Sequence, residues 1–183
     1  MADSETHYTL PAPKFDTTTR LLIVVAPYYK DIADELVAGA KAAIAKARAT
    51  QHVIEVPGAL EIPTAIRLAS AKRVYDGYVA LGCVIRGETT HYDTVCNDSS
   101  RALTLLGLEG ICIGNGILTV ENRAQAEVRA DHTGQNKGGG AAEAAMHLIA
   151  LKRGFTKSCP RRIGPSSEHI LIAGKSDKNK GQA

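Results

Sequence analysis

Tryptophan is absent from this chain of 183 residues, and with two Phe and six Tyr the aromatic share is only 4 %. A core without large rings must be aliphatic. The 44 % hydrophobic content is enough for one globular domain of the Ala, Val, Ile and Leu kind usual in parallel α/β layers. The four cysteines, Cys83, Cys96, Cys112 and Cys159, form no CxxC pair and no Cys/His cluster at zinc spacing. They read as reduced thiols acting as small apolar side chains in a cytoplasmic protein. No apolar run approaches membrane-spanning length, and the N-terminal MADSETHYTLPAPKFD has no secretory core. A strong charge of one sign is missing too. The net charge is +3, but the residues from Thr156 onward carry +4, leaving the rest near −1. No basic face points to nucleic acid, and nothing points to a membrane. There is no internal repeat.

What is present is an alternation of strand-like and helix-like segments. Residues 20–26 (RLLIVVA) read as a strand covered on both faces. Asp31 is placed to cap the next helix, with Asp34 and Glu35 in its first turn and Ile32, Leu36, Ala40, Ala43 and Ala47 on one face. Residues 52–56 make a short strand, Pro57-Gly58 a turn, and 59–72 a second helix with Pro63 near its start. Residues 78–84 form a third strand, followed by a helix over 92–108 with Val95, Ser99, Ala102, Leu103 and Leu106 inward. A fourth strand is expected at 110–114, a short helix at 121–129, a loop at GQNKGGG from Gly134, and a last helix over 141–153. In that last helix Ala142, Ala145, Met146 and Ile149 face inward. This order gives an α/β fold with a parallel sheet and helices on both sides. Residues 1–19, with Pro11 and Pro13, read as a flexible arm, 20–155 as the folded α/β domain, and 156–183 as a basic, disordered tail with a short apolar run at 170–173.

Chemistry concentrates in GCVIRGETTHYDTVCND, residues 82–98, between the third strand and its helix. A turn opening a helix offers free N–H groups to an anion such as phosphate. Gly87 permits close approach, and Thr89 and Thr90 add hydroxyl donors; an ordinary Thr-capped turn would read the same way. Of six histidines only His91 stands at the C-terminal end of a central strand, where open α/β sheets bind ligands. It is either a proton shuttle or a hydrogen-bonded structural residue. Arg129 and Lys137 are candidate counter-charges for phosphate, or plain solvated cations. Glu61, in the turn after the second strand, could meet a polar heterocycle, and Tyr28 could stack on it. Gly114-Asn115-Gly116 is expected to complete the same rim, but it lacks the third glycine of a dinucleotide fingerprint. His91 and Asp93 alone make a poor metal site, so no metal or cofactor is expected.

Four segments in order, VPGALEIP (56–63), LGCVIRGETTHYDTVCN (81–97), GNGILTVEN (114–122, with Gln125, Ala126 and Arg129) and NKGGGAA (136–142), resemble the lumazine synthases of riboflavin biosynthesis. The resemblance spans about residues 20–155. It implies a flavodoxin-like three-layer α/β/α sandwich around a four-stranded parallel sheet. It also implies condensation of 5-amino-6-(D-ribitylamino)uracil with 3,4-dihydroxy-2-butanone 4-phosphate to 6,7-dimethyl-8-ribityllumazine, phosphate and water. By the matching positions His91 would transfer protons, Glu88 and Thr89 would bind phosphate with Arg129 as its clamp, and Lys137 would assist. Tyr28 would stack on the pyrimidine, Ala59, Leu60 and Glu61 would bind the ribityl chain, and Cys83, Val84 and Ile85 the pyrimidine edge. Asn115 stands where many relatives carry an aromatic residue reaching a neighbouring subunit's pocket, and Glu88 where a small residue is common. Members form pentamers or sixty-subunit shells with active sites at subunit interfaces; the prolines of the arm favour the pentamer. The rival readings are a flavin- or lumazine-binding module without turnover, a structural shell, and, last, a nucleotide-dependent oxidoreductase.

Overall fold

The computed structural model describes residues 10–158. Strand β1 (Arg20–Val25) leads into helix α1 (Lys30–Lys46), β2 (Thr50–Glu55) into α2 (Glu61–Ser70), and β3 (Gly77–Ile85) into α3 (His91–Leu108). Strand β4 (Ile113–Val120) is followed by α4 (Arg123–Ala130) and α5 (Lys137–Ser158). The four strands form one parallel sheet in the order β2-β1-β3-β4. The chain therefore steps from β1 to one neighbour, β2, and then crosses over to the other neighbour, β3. That reversal opens a crevice beyond the C-terminal ends of β1 and β3.

The continuous apolar run of β1 is explained by its two buried faces. Leu21, Ile23 and Val25 pack with α1 and α5, whereas Leu22 and Val24 pack with Ile62 and Ile66 of α2 and Leu103 of α3. Each of these β1 side chains is at most 2 % exposed. Fully burying one such chain is worth about 1.5–3 kcal/mol, so the central strand anchors both layers. Helix α1 buries Ile32, Leu36, Ala40 and Ile44, close to the expected stripe. In α5 Ala142, Ala145, Met146 and Ile149 are buried as expected. Before β1, Phe15 enters the same core and its N–H bonds to the Ala47 carbonyl at 3.1 Å.

Three boundaries depart from the sequence reading. Asp31 does not cap α1: Tyr29 is the N-cap and Asp31 sits in the first turn, where it still favours the positive end of the helix. The fourth strand begins at Ile113, not at 110, because Gly110 has a positive φ of 83° that ends α3 in a turn. Gly114, Asn115 and Gly116 thus lie inside β4. The GQNKGGG run is not all loop either, since Lys137 opens α5. Asn136 caps that helix, its Oδ1 accepting from the Gly139 N–H at 3.0 Å. The glycines serve contact rather than flexibility: a Cβ on Gly138 would stand 2.0 Å from the Leu36 carbonyl oxygen of α1. The run 170–173 and Cys159 lie outside the described residues.

Candidate active site

At the crevice beyond β1 and β3 is a cavity of about 530 Å³. Its walls come from three successive strand-to-helix junctions. After β1 stand Ala26, Tyr28 and Tyr29; after β2, the turn from Pro57 to Glu61; and from β3 into α3, Cys83, Val84, Ile85, Gly87, Thr89, His91, Tyr92 and Val95. Nine residues singled out from sequence meet here: Tyr28, Ala59, Leu60, Glu61, Cys83, Val84, Ile85, Thr89 and His91. Each junction lies at a strand C-terminus, so the topology alone brings together residues as far apart in the chain as Ala26 and Val95.

His91 is the first residue of α3 and is exposed. Its backbone N–H points to Thr89 Oγ1 at 3.4 Å, while the preceding Thr90 makes no side-chain cap. The Asp93 N–H donates to the Thr90 carbonyl at 3.0 Å, which leaves the Tyr92 N–H as the first-turn donor at the positive end of an 18-residue helix. Cys83 forms a different kind of wall. Burial pushes its thiol up to about 11, so at neutral pH it is a protonated, apolar lining and not a nucleophile. Tyr28 is 75 % exposed, and its ring meets that of Tyr29 edge-on with centroids 5.1 Å apart. Burial, and next the neighbouring Tyr28, raise the Tyr29 hydroxyl above its usual range.

The GETTH turn is braced by Arg86. Its guanidinium lies over the Tyr92 ring at 4.1 Å, bonds Glu121 at 2.8 Å and reaches Asp93 at 3.3 Å. Tyr29 and Tyr92 are lining residues that the sequence reading did not single out, and Val95, read there as inward-facing on its helix, was not assigned to the site. Val95 could have been found, because it lies four positions after His91 and so on the same helix face. For Tyr29 the only signal was its place beside Tyr28.

Four singled-out residues do not line this cavity: Glu88, Asn115, Arg129 and Lys137. Glu88 is exposed on the turn. Asn115 is not on the rim, which corrects the sequence reading: it lies mid-strand, opposite Ala80, and its Oδ1 accepts from the Ile117 N–H at 3.0 Å. Arg129 is in α4, half-buried, with Nη1 donating to the Gln125 carbonyl at 3.0 Å. Lys137 opens α5 and is exposed. Helices α4 and α5 pack with α1, whereas His91 belongs to α3, which packs with α2 on the other side of the sheet. No Lys or Arg lines the cavity among the described residues. Nor is a metal cage present in it: the one grouping of metal-capable side chains among the described residues, Glu35, Asp131 and His132, lies elsewhere.

Comparison with known proteins decides the family. Residues 18–153 match the family model for 6,7-dimethyl-8-ribityllumazine synthase. The chain belongs to the lumazine synthase family. A relative from Jannaschia sp. (strain CCS1) bearing that enzyme's name is 58 % identical over 146 residues, covering 80 % of this chain and 82 % of its own. Another, from Novosphingobium aromaticivorans, is 56 % identical over 133 residues, or 73 % of this chain and 96 % of its own. A third, from Bartonella henselae, is 56 % identical over 138 residues, 74 % and 89 % respectively. The matched stretch holds all five helices up to Arg153 and the whole lumazine synthase-like sheet.

Proposed function

We propose that this chain condenses 5-amino-6-(D-ribitylamino)uracil with 3,4-dihydroxy-2-butanone 4-phosphate to 6,7-dimethyl-8-ribityllumazine, releasing phosphate and water. The observation that carries the reading is His91 at the start of α3, beside a cavity framed by the VPGALEIP and GETTH segments, in a chain of this family. The pyrimidine's amine is already nucleophilic, so catalysis rests mainly on holding two substrates in register. Tyr28 stacks on the pyrimidine, backbone groups of Cys83, Val84 and Ile85 read its edge, and Ala59, Leu60 and Glu61 hold the ribityl chain. A protonated Cys83 thiol fits a role carried by the backbone. His91 moves protons in Schiff-base formation and phosphate elimination. Glu88 and Thr89 offer N–H and hydroxyl donors to the phosphate. An exposed Glu88 carboxylate, turned from the cavity, avoids repelling that anion.

The clamp is assigned to Arg129, with help from Lys137, and this requires more than one chain. A dianion needs a cation, and none lines the cavity among the described residues. We therefore assign Arg129, Lys137 and the Asn115 region to a neighbouring subunit's site, in a homopentamer with interface active sites. The chain works without cofactor or metal, on small-molecule substrates, in the cytoplasm, through a domain of about residues 20–155. Mixing the purified protein with both substrates and following lumazine by absorbance and fluorescence tests the reaction. Product above the uncatalysed rate is expected. A well-folded oligomer that gives no acceleration would overturn the assignment.

A further inference from the structure

The turn between α4 and α5 has Arg129 just before it and Lys137 just after it. Its interior is self-bonded. The Asp131 carboxylate accepts from the Thr133 N–H at 2.8 Å and its hydroxyl at 2.7 Å, and the Asp131 carbonyl accepts from the Gly134 and Asn136 N–H groups at 3.1 and 2.9 Å. What fastens the turn to α1 is Glu35, whose Oε2 accepts from both the His132 N–H, at 3.2 Å, and His132 Nδ1, at 2.5 Å. One helical turn earlier on α1, Asp31 bonds Arg123 at the start of α4. Helix α4 is thus fastened to α1 at both ends, and the second fastening is the one nearest the two cations.

We propose that Glu35 and His132 are positioning residues that set where Arg129 and Lys137 stand toward the phosphate-bearing substrate, with a grip that weakens as His132 loses its proton. The proposal rests on the reaction assigned above. The charged and titratable groups on the elements packed here are Asp31, Asp34 and Glu35 of α1, Arg123, Glu127 and Arg129 of α4, Asp131 in the turn, and Lys137 of α5. Glu35, hydrogen-bonded and of opposite charge, raises the His132 imidazole above its ordinary value. His132 in turn lowers the Glu35 carboxyl. The raised imidazole means the paired state is fully present below the ordinary histidine value and is lost as pH climbs through the raised one. The lowered carboxyl means it is lost again only in acid. Both side chains are more than 40 % exposed, so the effect is modest.

The test uses the full oligomer with His132→Ala and His132→Gln. His132→Ala is expected to raise KM for the ketose phosphate about five-fold below pH 7, with KM for the pyrimidine and kcat nearly unchanged. The wild-type phosphate KM should climb with pH toward that of His132→Ala. His132→Gln, a neutral donor, should recover part of the loss and show a flat profile. Added to an Arg129→Ala, Lys137→Ala double variant, His132→Ala should change little, because its effect passes through those two side chains. Calorimetric binding of inorganic phosphate reads the same pair without turnover and should weaken in His132→Ala. An unchanged phosphate affinity, or equal rises in both KM values with a lower Tm, would overturn the assignment. A wild type that binds phosphate but makes no lumazine would count against the reaction, while the calorimetric comparison still decides this proposal.

Discussion

A histidine and a cysteine face the same cavity and are expected to behave in opposite ways. His91 is exposed at the start of a helix, and in the proposed reaction it carries protons between substrate and water. Replacing it with Ala should lower kcat by roughly 10² while leaving Tm and subunit assembly unchanged, because it supports no core contact. Stopped turnover assays and size-exclusion profiles of the variant check both halves. Cys83 is held in the protonated form by burial, its thiol at about 11. Site-resolved mass spectrometry after iodoacetamide treatment should find it unmodified at pH 7.5, with labelling rising only in strong alkali. His91 stood out in the sequence because its neighbours fixed its address. The thiol's inertness did not, since it depends on how α1 and α4 pack over β3.

Most helices and strands are legible from period and punctuation, and the reading fails where glycine has two meanings. The GNG triplet and the GGG triplet both look like loops. In the structure one lies in β4 and the other in the first turn of α5, because both must let a helix backbone come close. A Cβ on Gly114 would stand 1.8 Å from the Ala141 carbonyl oxygen, and one on Gly138 2.0 Å from that of Leu36. Close backbone approach is a property of two elements together and leaves no periodic mark on either. The third glycine tells the difference, since Gly140 meets nothing within 4 Å. Gly140→Ala should therefore stabilise the fold by up to about 1 kcal/mol through helix propensity. Gly138→Ala should cost about 1–3 kcal/mol by forcing α1 and α5 apart. Paired urea unfolding curves would show opposite shifts in midpoint; shifts of the same sign would refute the packing account.

For the whole molecule, the expected three-layer fold and its sheet are found, yet the site is legible only in part. Nine of the singled-out residues converge because all lie at strand C-termini or in the junctions just beyond them, which alternation alone foretells. Arg129 and Lys137 do not join them in the cavity, and for the shared site proposed above no reading of one chain's local pattern gives the geometry between copies. The division makes a definite prediction. His91→Ala and Arg129→Ala subunits, each nearly inactive alone, should regain part of the turnover when unfolded and reassembled together. Some interfaces would then pair an intact His91 with an intact Arg129. Recovery that tracks the statistical share of such pairs would support sites shared between chains. No recovery from well-formed mixed oligomers would mean that each chain supplies its own cation.

The Asn115 side chain also bears on how such chains avoid sticking together. Strand β4 is an edge of the sheet, and Asn115 folds back to take the Ile117 N–H, removing one donor from the middle of that edge. Among the described residues no side chain does the same for β2 at the opposite edge, where most residues are exposed. The sheet is therefore receptive on one side and blunted on the other. A strand added along β2 meets an open row of partners, whereas one added along β4 finds the Ile117 donor already taken. The two edges are unequal, and pairing between sheets favours the β2 side.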